Sequence, residues 1–129
     1  TYDDLNPKVQ KYFQKIVDYC KDNGIELICV TTPIPPSSVV SGAANEANTY
    51  FKQICEENNV RYIDGNLIKN EILNVSDDDF SDWEGHMNGE LAEQFSEVLT
   101  DILMKDNNSE YFYSGYDECI EAIKARGNE

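Results

Sequence analysis

Apolar residues along the first part of the chain recur at helical spacing and then at strand spacing. Val9, Tyr12, Phe13, Ile16, Val17 and Cys20 follow i, i+3, i+4 steps and mark one face of a helix. Asn6-Pro7 supplies its start, because an Asn side chain accepts from a free first-turn amide and Pro has no amide hydrogen to leave unpaired there. Asp22-Asn23-Gly24 ends it. Ile25-Glu26-Leu27-Ile28-Cys29-Val30-Thr31 is nearly continuously apolar, the pattern of a strand covered on both faces. The prolines of Thr32-Pro33-Ile34-Pro35-Pro36-Ser37-Ser38 lack amide hydrogens and fix the backbone, so this stretch is predicted as a loop.

The alternation then repeats. Ala47, Tyr50, Phe51, Ile54 and Cys55 stripe a second helix from about Ala43 to Asn58, and Val60-Arg61-Tyr62-Ile63-Asp64 is a second short strand. A polar, partly helical connection spans Asn66 to Asp79. A third long helix begins near Asn88, with Leu91, Phe95, Val98, Leu99, Ile102 and Leu103 turned inward. Lys105 to Ser109 is a linker, and Tyr111 to Lys124 places Phe112, Tyr116, Ile120 and Ile123 at helical spacing.

Helix, strand, helix, strand, helix is half of an α/β fold: a short parallel sheet flanked by helices, a partial three-layer sandwich. The helix between the strands makes the crossover that parallel neighbours require. The Thr32 to Gly42 loop, Asp64 and the loop carrying His86 are then expected at the strands' C-terminal edge, where open α/β sheets place ligands. The expected organisation is one α/β domain over residues 1–105, followed by a linker and a packing helix over 106–129.

Composition narrows the function classes. At 129 residues the chain suits one domain, and 27% charged with 40% hydrophobic residues is a globular balance. Asp plus Glu number 25 against 10 Lys plus Arg, for a net charge of -15. Such a field repels phosphate backbones and anionic lipid, so neither nucleic acid nor membrane contact is expected. The longest apolar run, Leu27 to Val30, is too short to span a bilayer. The chain opens on Thr1 without a leader pattern, as a processed form or a fragment would. Cys20, Cys29, Cys55 and Cys119 lack CxxC or Cys/His spacing, so no zinc site is expected and core thiols are the default.

The candidate chemistry lies in Asp79-Phe80-Ser81-Asp82-Trp83-Glu84-Gly85-His86-Met87-Asn88, which holds the only histidine and the only tryptophan. Histidine takes and returns protons near neutral pH without a perturbed pKa, and an adjacent acid can orient it. A polar loop with a surface histidine carries the same residues. Asp77-Asp78-Asp79 suggests calcium, but an EF-hand loop begun at Asp77 needs Gly where Asp82 stands and Glu where Asn88 stands, so a solvated acidic loop is preferred. Asn74-Val75-Ser76 and Asn107-Asn108-Ser109 match glycosylation sequons without further support. Tyr111-Phe112-Tyr113 with Tyr116 suits core packing better than sugar stacking. No Walker loop, dinucleotide fingerprint or HExxH is present, and no cofactor is expected.

Taken in order, these pieces resemble the C-terminal half of an SGNH (GDSL-type) hydrolase, a flavodoxin-like family, nearest its bacterial cell-surface esterase and O-acyltransferase branch. The resemblance covers roughly residues 8 to 104. It rests on the helix leading into Gly24-Ile25-Glu26-Leu27-Ile28, the Thr32-Pro33-Ile34-Pro35 loop, the Asn59 to Asp64 strand, and the block Asp82-Trp83-Glu84-Gly85-His86-Met87-Asn88-Gly89-Glu90-Leu91-Ala92.

That resemblance implies Ser-His-Asp acyl transfer or ester hydrolysis on acylated carbohydrate or cell-wall material, in an extracytoplasmic or cell-surface setting. His86 is then the general base, Asp82 the orienting acid and Asn88 a helix cap. Two departures stand out. Asp82 precedes His86 by four residues where the family has three, leaving Asp79 or Glu84 as alternative partners, and Leu91 stands where the family has Gly. The family's Gly-Asp-Ser nucleophile block and its oxyanion segments are absent, and Ser37, Ser38, Ser41 and Ser81 have no nucleophile setting. The nucleophile is therefore expected outside this chain, the isolated chain is expected to be inactive, and a sheet edge is expected to be covered by another chain or a missing N-terminal half. The alternative is a non-catalytic SGNH-like binding or scaffold module.

Overall fold

The structure is a computed structural model and describes residues 6–82 and 84–127 of the chain. Its elements run α1 (Pro7–Asp22), β1 (Ile28–Thr31), α2 (Pro36–Val40), α3 (Asn45–Glu57), β2 (Arg61–Asp64), α4 (Gly89–Leu103) and α5 (Tyr116–Gly127). Single 3₁₀ turns occupy Gly65–Leu67, Asp77–Asp79 and Ser109–Tyr111. The fold is mixed α/β, with β1 and β2 paired in a short parallel sheet, a partial α/β sandwich. Among the described residues no helix is long and apolar enough to cross a membrane. The chain forms two compact units, Thr1–Thr31 with Ala44–Ile63, and Thr32–Ala43 with Asp64–Glu129.

In the first unit Asn6 and Pro7 open α1 as their chemistry requires. The Asn6 side chain accepts from the Lys8 amide at 3.0 Å, and Pro7 occupies the first turn. Val17, Cys55 and Val60 form the buried centre, with Phe13, Leu27, Cys29 and Tyr62 packed against it. Thr31 Oγ1 and Tyr62 Oη, one from each strand, lie 2.5 Å apart. Two expectations need correction. The first strand is Ile28–Thr31 and not Ile25–Thr31, and Val30 is 38% exposed, so it is not covered on both faces. The expected inward face of α1 is only half buried: Val17 and Cys20 are inside, while Val9, Tyr12 and Ile16 are exposed.

In the second unit the Thr32 to Ser38 stretch is not all loop. Pro33 and Pro35 are buried, and Pro36 starts the short helix α2 at the one helical position where a missing amide hydrogen costs nothing. α5 packs on α2 and on the Gly65–Leu67 turn. Phe112 pairs antiparallel with Ile68, held by Lys69 N donating to Tyr111 O and Tyr113 N to Leu67 O, both at 2.8 Å. The aromatic run Tyr111 to Tyr113 is thus half-buried and clipped to the strand-following segment. Along α4, Leu91, Phe95 and Ile102 are buried, one and then two turns apart on one face. Leu103, expected inward, is exposed.

Candidate active site

The sequence block around His86 forms a tight reversal. Phe80 pairs antiparallel with Met87, Ser81 N donates to His86 O at 2.8 Å, and Asn88 N donates to Asp79 O at 2.7 Å. Asn88 then caps α4, its side-chain oxygen accepting from Leu91 N at 2.9 Å. The loop is therefore anchored on one side by a helix start and on the other by the Asp77–Asp79 turn. The acids of that turn act as caps. Ser76 and Asp79 form a capping box, with Asp79 Oδ2 accepting from Ser76 N at 2.8 Å, and Asp77 Oδ1 accepts from Ser37 N at 3.0 Å. Trp83, part of the same block, lies outside the described residues, as does Thr1.

Within the reversal Asp82 organises the backbone and the imidazole together. Its Oδ1 accepts from the amides of Glu84 at 3.0 Å and His86 at 3.3 Å, and its Oδ2 lies 2.6 Å from His86 Nδ1. Asp79 is committed to Ser76, and Glu84 acts on the imidazole as a nearby charge. Of the three acids considered, Asp82 is the one within hydrogen-bond reach. The chain turns between the two residues at Gly85, whose φ of 101° is open to glycine and rarely to other residues. The space is also tight there, since a Cβ would lie 3.2 Å from Ile34 Cγ2.

The electrostatics follow from this contact. The hydrogen bond to Asp82, then its charge and that of Glu84, raise the His86 pKa above the ordinary imidazole value. The hydrogen bond to His86 lowers that of Asp82. Both side chains stay open to water, at 70% exposed for His86 and 38% for Asp82. With Nδ1 held by a carboxylate, the neutral ring carries its proton on Nδ1 and leaves Nε2 as a proton acceptor, the tautomer that a general base needs. Among the described residues no hydrogen bond joins His86 to a serine hydroxyl, and Ser41 Oγ donates to Ser38 O at 2.7 Å. Asp82, Glu84 and His86 each place one ligand atom within 4.8 Å of the others. Two carboxylates and an imidazole suit a divalent cation such as zinc.

A second polar cluster carries a weaker sequence signal, the Asp64-Gly65-Asn66 run at the strand end. Asp64 is buried, and its carboxylate accepts from Asn66 N at 3.0 Å and from the Tyr116 hydroxyl. Asn66 Oδ1 accepts from Ile34 N at 2.9 Å, and Cys119 Sγ donates to Asn66 O at 3.2 Å. Burial raises the Asp64 pKa, against the lowering effect of Tyr116 and Asn66. The same turn borders a cavity of about 30 Å³, lined in part by Pro33, Asn66, Cys119 and Arg126. The Asn66 amide nitrogen is buried without a protein partner. A single water fits such a space. This cluster is a brace beneath the Ile34 loop, and Ile34 in turn seats Gly85. Comparison of the chain with protein-family models, with curated proteins and with solved structures found no match.

Proposed function

We propose that this chain is the base-carrying portion of an SGNH-like esterase or O-acyltransferase. His86 is the general base, Asp82 holds its ring, and the serine nucleophile is supplied from outside the chain. The observation that carries the reading is the 2.6 Å contact between Asp82 Oδ2 and His86 Nδ1, made across the positive-φ turn at Gly85. In the reaction His86 Nε2 takes the serine proton as the hydroxyl attacks an ester carbonyl, then returns it to the leaving alcohol. Acylated carbohydrate or cell-wall material is the substrate class, and an extracytoplasmic or cell-surface site fits it, both by resemblance alone.

The sheet supports the same reading. Two parallel strands leave edges that recruit further strands, and the missing N-terminal half or another chain would fill one of them. A second reading, a non-catalytic SGNH-like binding module, is favoured by the exposure of both dyad side chains.

The test is to express the protein from its full reading frame and assay it on acetyl esters and on an acetylated polysaccharide. Catalysis predicts a loss of about 100-fold or more in kcat for His86→Ala, a smaller loss for Asp82→Asn, and stoichiometric labelling of one serine upstream by a fluorophosphonate. A full-frame protein without such a serine and without activity favours the binding module instead, and activity indifferent to His86→Ala overturns His86 as the base.

A further inference from the structure

Helix α1 carries two apolar stripes. Phe13, Val17 and Cys20 face the core, whereas Val9, Tyr12, Ile16 and Tyr19 are each between 52% and 63% exposed. The second set is spaced three, four and three residues apart, the a and d positions of a coiled-coil seam. At about 100° per residue these four side chains fall within one narrow strip of the helix. Single exposed apolar residues are ordinary, but a continuous strip of two tyrosines, a valine and an isoleucine is the signature of a face that packs against something.

The charges beside the strip say what that is. Lys8, Lys15 and Asp22 recur every seven residues along one flank, while the other flank holds Phe13 and Cys20, turned to the core. We propose that this face joins two copies of the chain in a two-fold dimer, α1 antiparallel to α1. Antiparallel pairing sets Val9 against Tyr19 of the second copy and Tyr12 against Ile16, so a smaller side chain meets a tyrosine in every layer. It also brings the charged flank against itself in reverse, so that Lys8 meets Asp22 of the second copy at both ends of the seam. Parallel pairing would instead place these charges opposite Phe13 and Cys20 and form no ion pair.

The least favourable contact is at the two-fold axis, where the two Lys15 side chains approach. Each ammonium sits 5.2 Å over the ring of its own Tyr12, which draws it back from the axis. Lys8, Lys11, Lys15 and Lys21 outnumber Asp18 and Asp22 on α1. In a chain of net charge -15, this helix is where two acidic bodies repel least. The seam is about 15 Å long at 1.5 Å per residue. That is shorter than a standard interface, and the dimer constant belongs in the micromolar to millimolar range. The inference rests on α1 alone and stands whether or not His86 is catalytic.

Sedimentation equilibrium of the whole chain, from about 10 μM to about 1 mM, reads this directly. A monomer–dimer equilibrium is expected, abolished by Ile16→Glu while circular dichroism and the melting midpoint hold. Tyr12→Gln serves the same comparison should Ile16→Glu unfold. Lys8→Asp or Asp22→Lys alone weakens the dimer by about three- to tenfold, the double change restores it, and Lys15→Gln tightens it. A monomer at every concentration, a dimer indifferent to Ile16→Glu and Tyr12→Gln, or a double swap without recovery overturns the proposal. So does a chain that stays monomeric and uses this face to bind anionic vesicles.

Discussion

Gly85 and Ile34 are in tight contact: a Cβ on Gly85 would lie 3.2 Å from Ile34 Cγ2, which would have to give by a few tenths of an ångström. The backbone at Gly85 is also in the positive-φ region, at 101°. Any L-residue there meets both penalties. Gly85→Ala is expected to cost about 1–3 kcal/mol of stability and to draw His86 away from Asp82. Thermal denaturation reads the first effect. An NMR titration of His86 reads the second, as a pKa moved back toward the ordinary imidazole value.

Asp82→Asn tests the dyad without altering its shape. Removing the carboxylate charge lowers the His86 pKa, because the hydrogen bond and the charge that raise it both come from Asp82. The pH dependence has two sides. His86, raised in the folded state, contributes stability that is full below its unfolded pKa and lost as pH rises through the folded value. Asp82, lowered in the folded state, contributes above its unfolded pKa and loses that contribution as pH falls through its folded value. The pair therefore tightens the loop most between the two unfolded values, and the gain fades beyond them toward each folded value. A titration curve identical in wild type and Asp82→Asn would remove the dyad.

Asp64 acts in the opposite sense. Its pKa is raised by burial, so the fold binds this proton more tightly than the unfolded chain and loses stability as pH climbs from the ordinary carboxyl value through the raised one. Tyr116→Phe removes a donor to the buried carboxylate. It is expected to cost about 1–3 kcal/mol at neutral pH and to carry the decline to higher pH. Denaturant melts of both proteins across the acid range measure it, and parallel stability profiles would contradict it.

The Cys55 and Cys119 thiols are expected to be inert in the native chain. Burial, helped by neighbouring Cys29, pushes the Cys55 thiol up to about 12, and burial pushes that of Cys119 up to about 11, with Asp64 and Glu118 adding to it against Arg126. Thiolate is the reacting species, so at about pH 8 an aromatic disulfide reagent should leave both untouched until denaturant is added. Rapid modification of Cys55 in the folded protein would show its pocket to be open.

What was legible in the sequence was local chemistry. Asn6 was identifiable as a cap because it stands before a proline and a helical pattern, Asn88 was implied as one by the resemblance, and both side chains accept a first-turn amide. The alternation of helix and strand was legible for the same reason, as was Asp82 beside His86, although the spacing alone left Asp79 and Glu84 open. What was not legible depended on partners distant in sequence. Pro36 read as a breaker, yet at the first position of α2 its lack of an amide hydrogen is harmless. The pattern of α1 marked six apolar positions without saying which half the rest of the unit would cover. The brace of Asp64, Asn66 and Tyr116 joins residues far apart in the chain, and no window of sequence contains it.

The pairing of Phe112 with Ile68 has a consequence for the order in which the protein is made. The clip joins Leu67 and Lys69 to Tyr111 and Tyr113, so the whole stretch between them, including the His86 reversal and α4, is a closed loop. Closing a loop of this length has an entropic cost that the contacts at its ends help to repay. On the ribosome those end contacts do not exist until Tyr113 has left the exit tunnel, so the dyad's loop is synthesised well before the clip that closes it. A translational pause ahead of Tyr111 would therefore prolong the interval in which His86 and Asp82 are held by their local contacts alone.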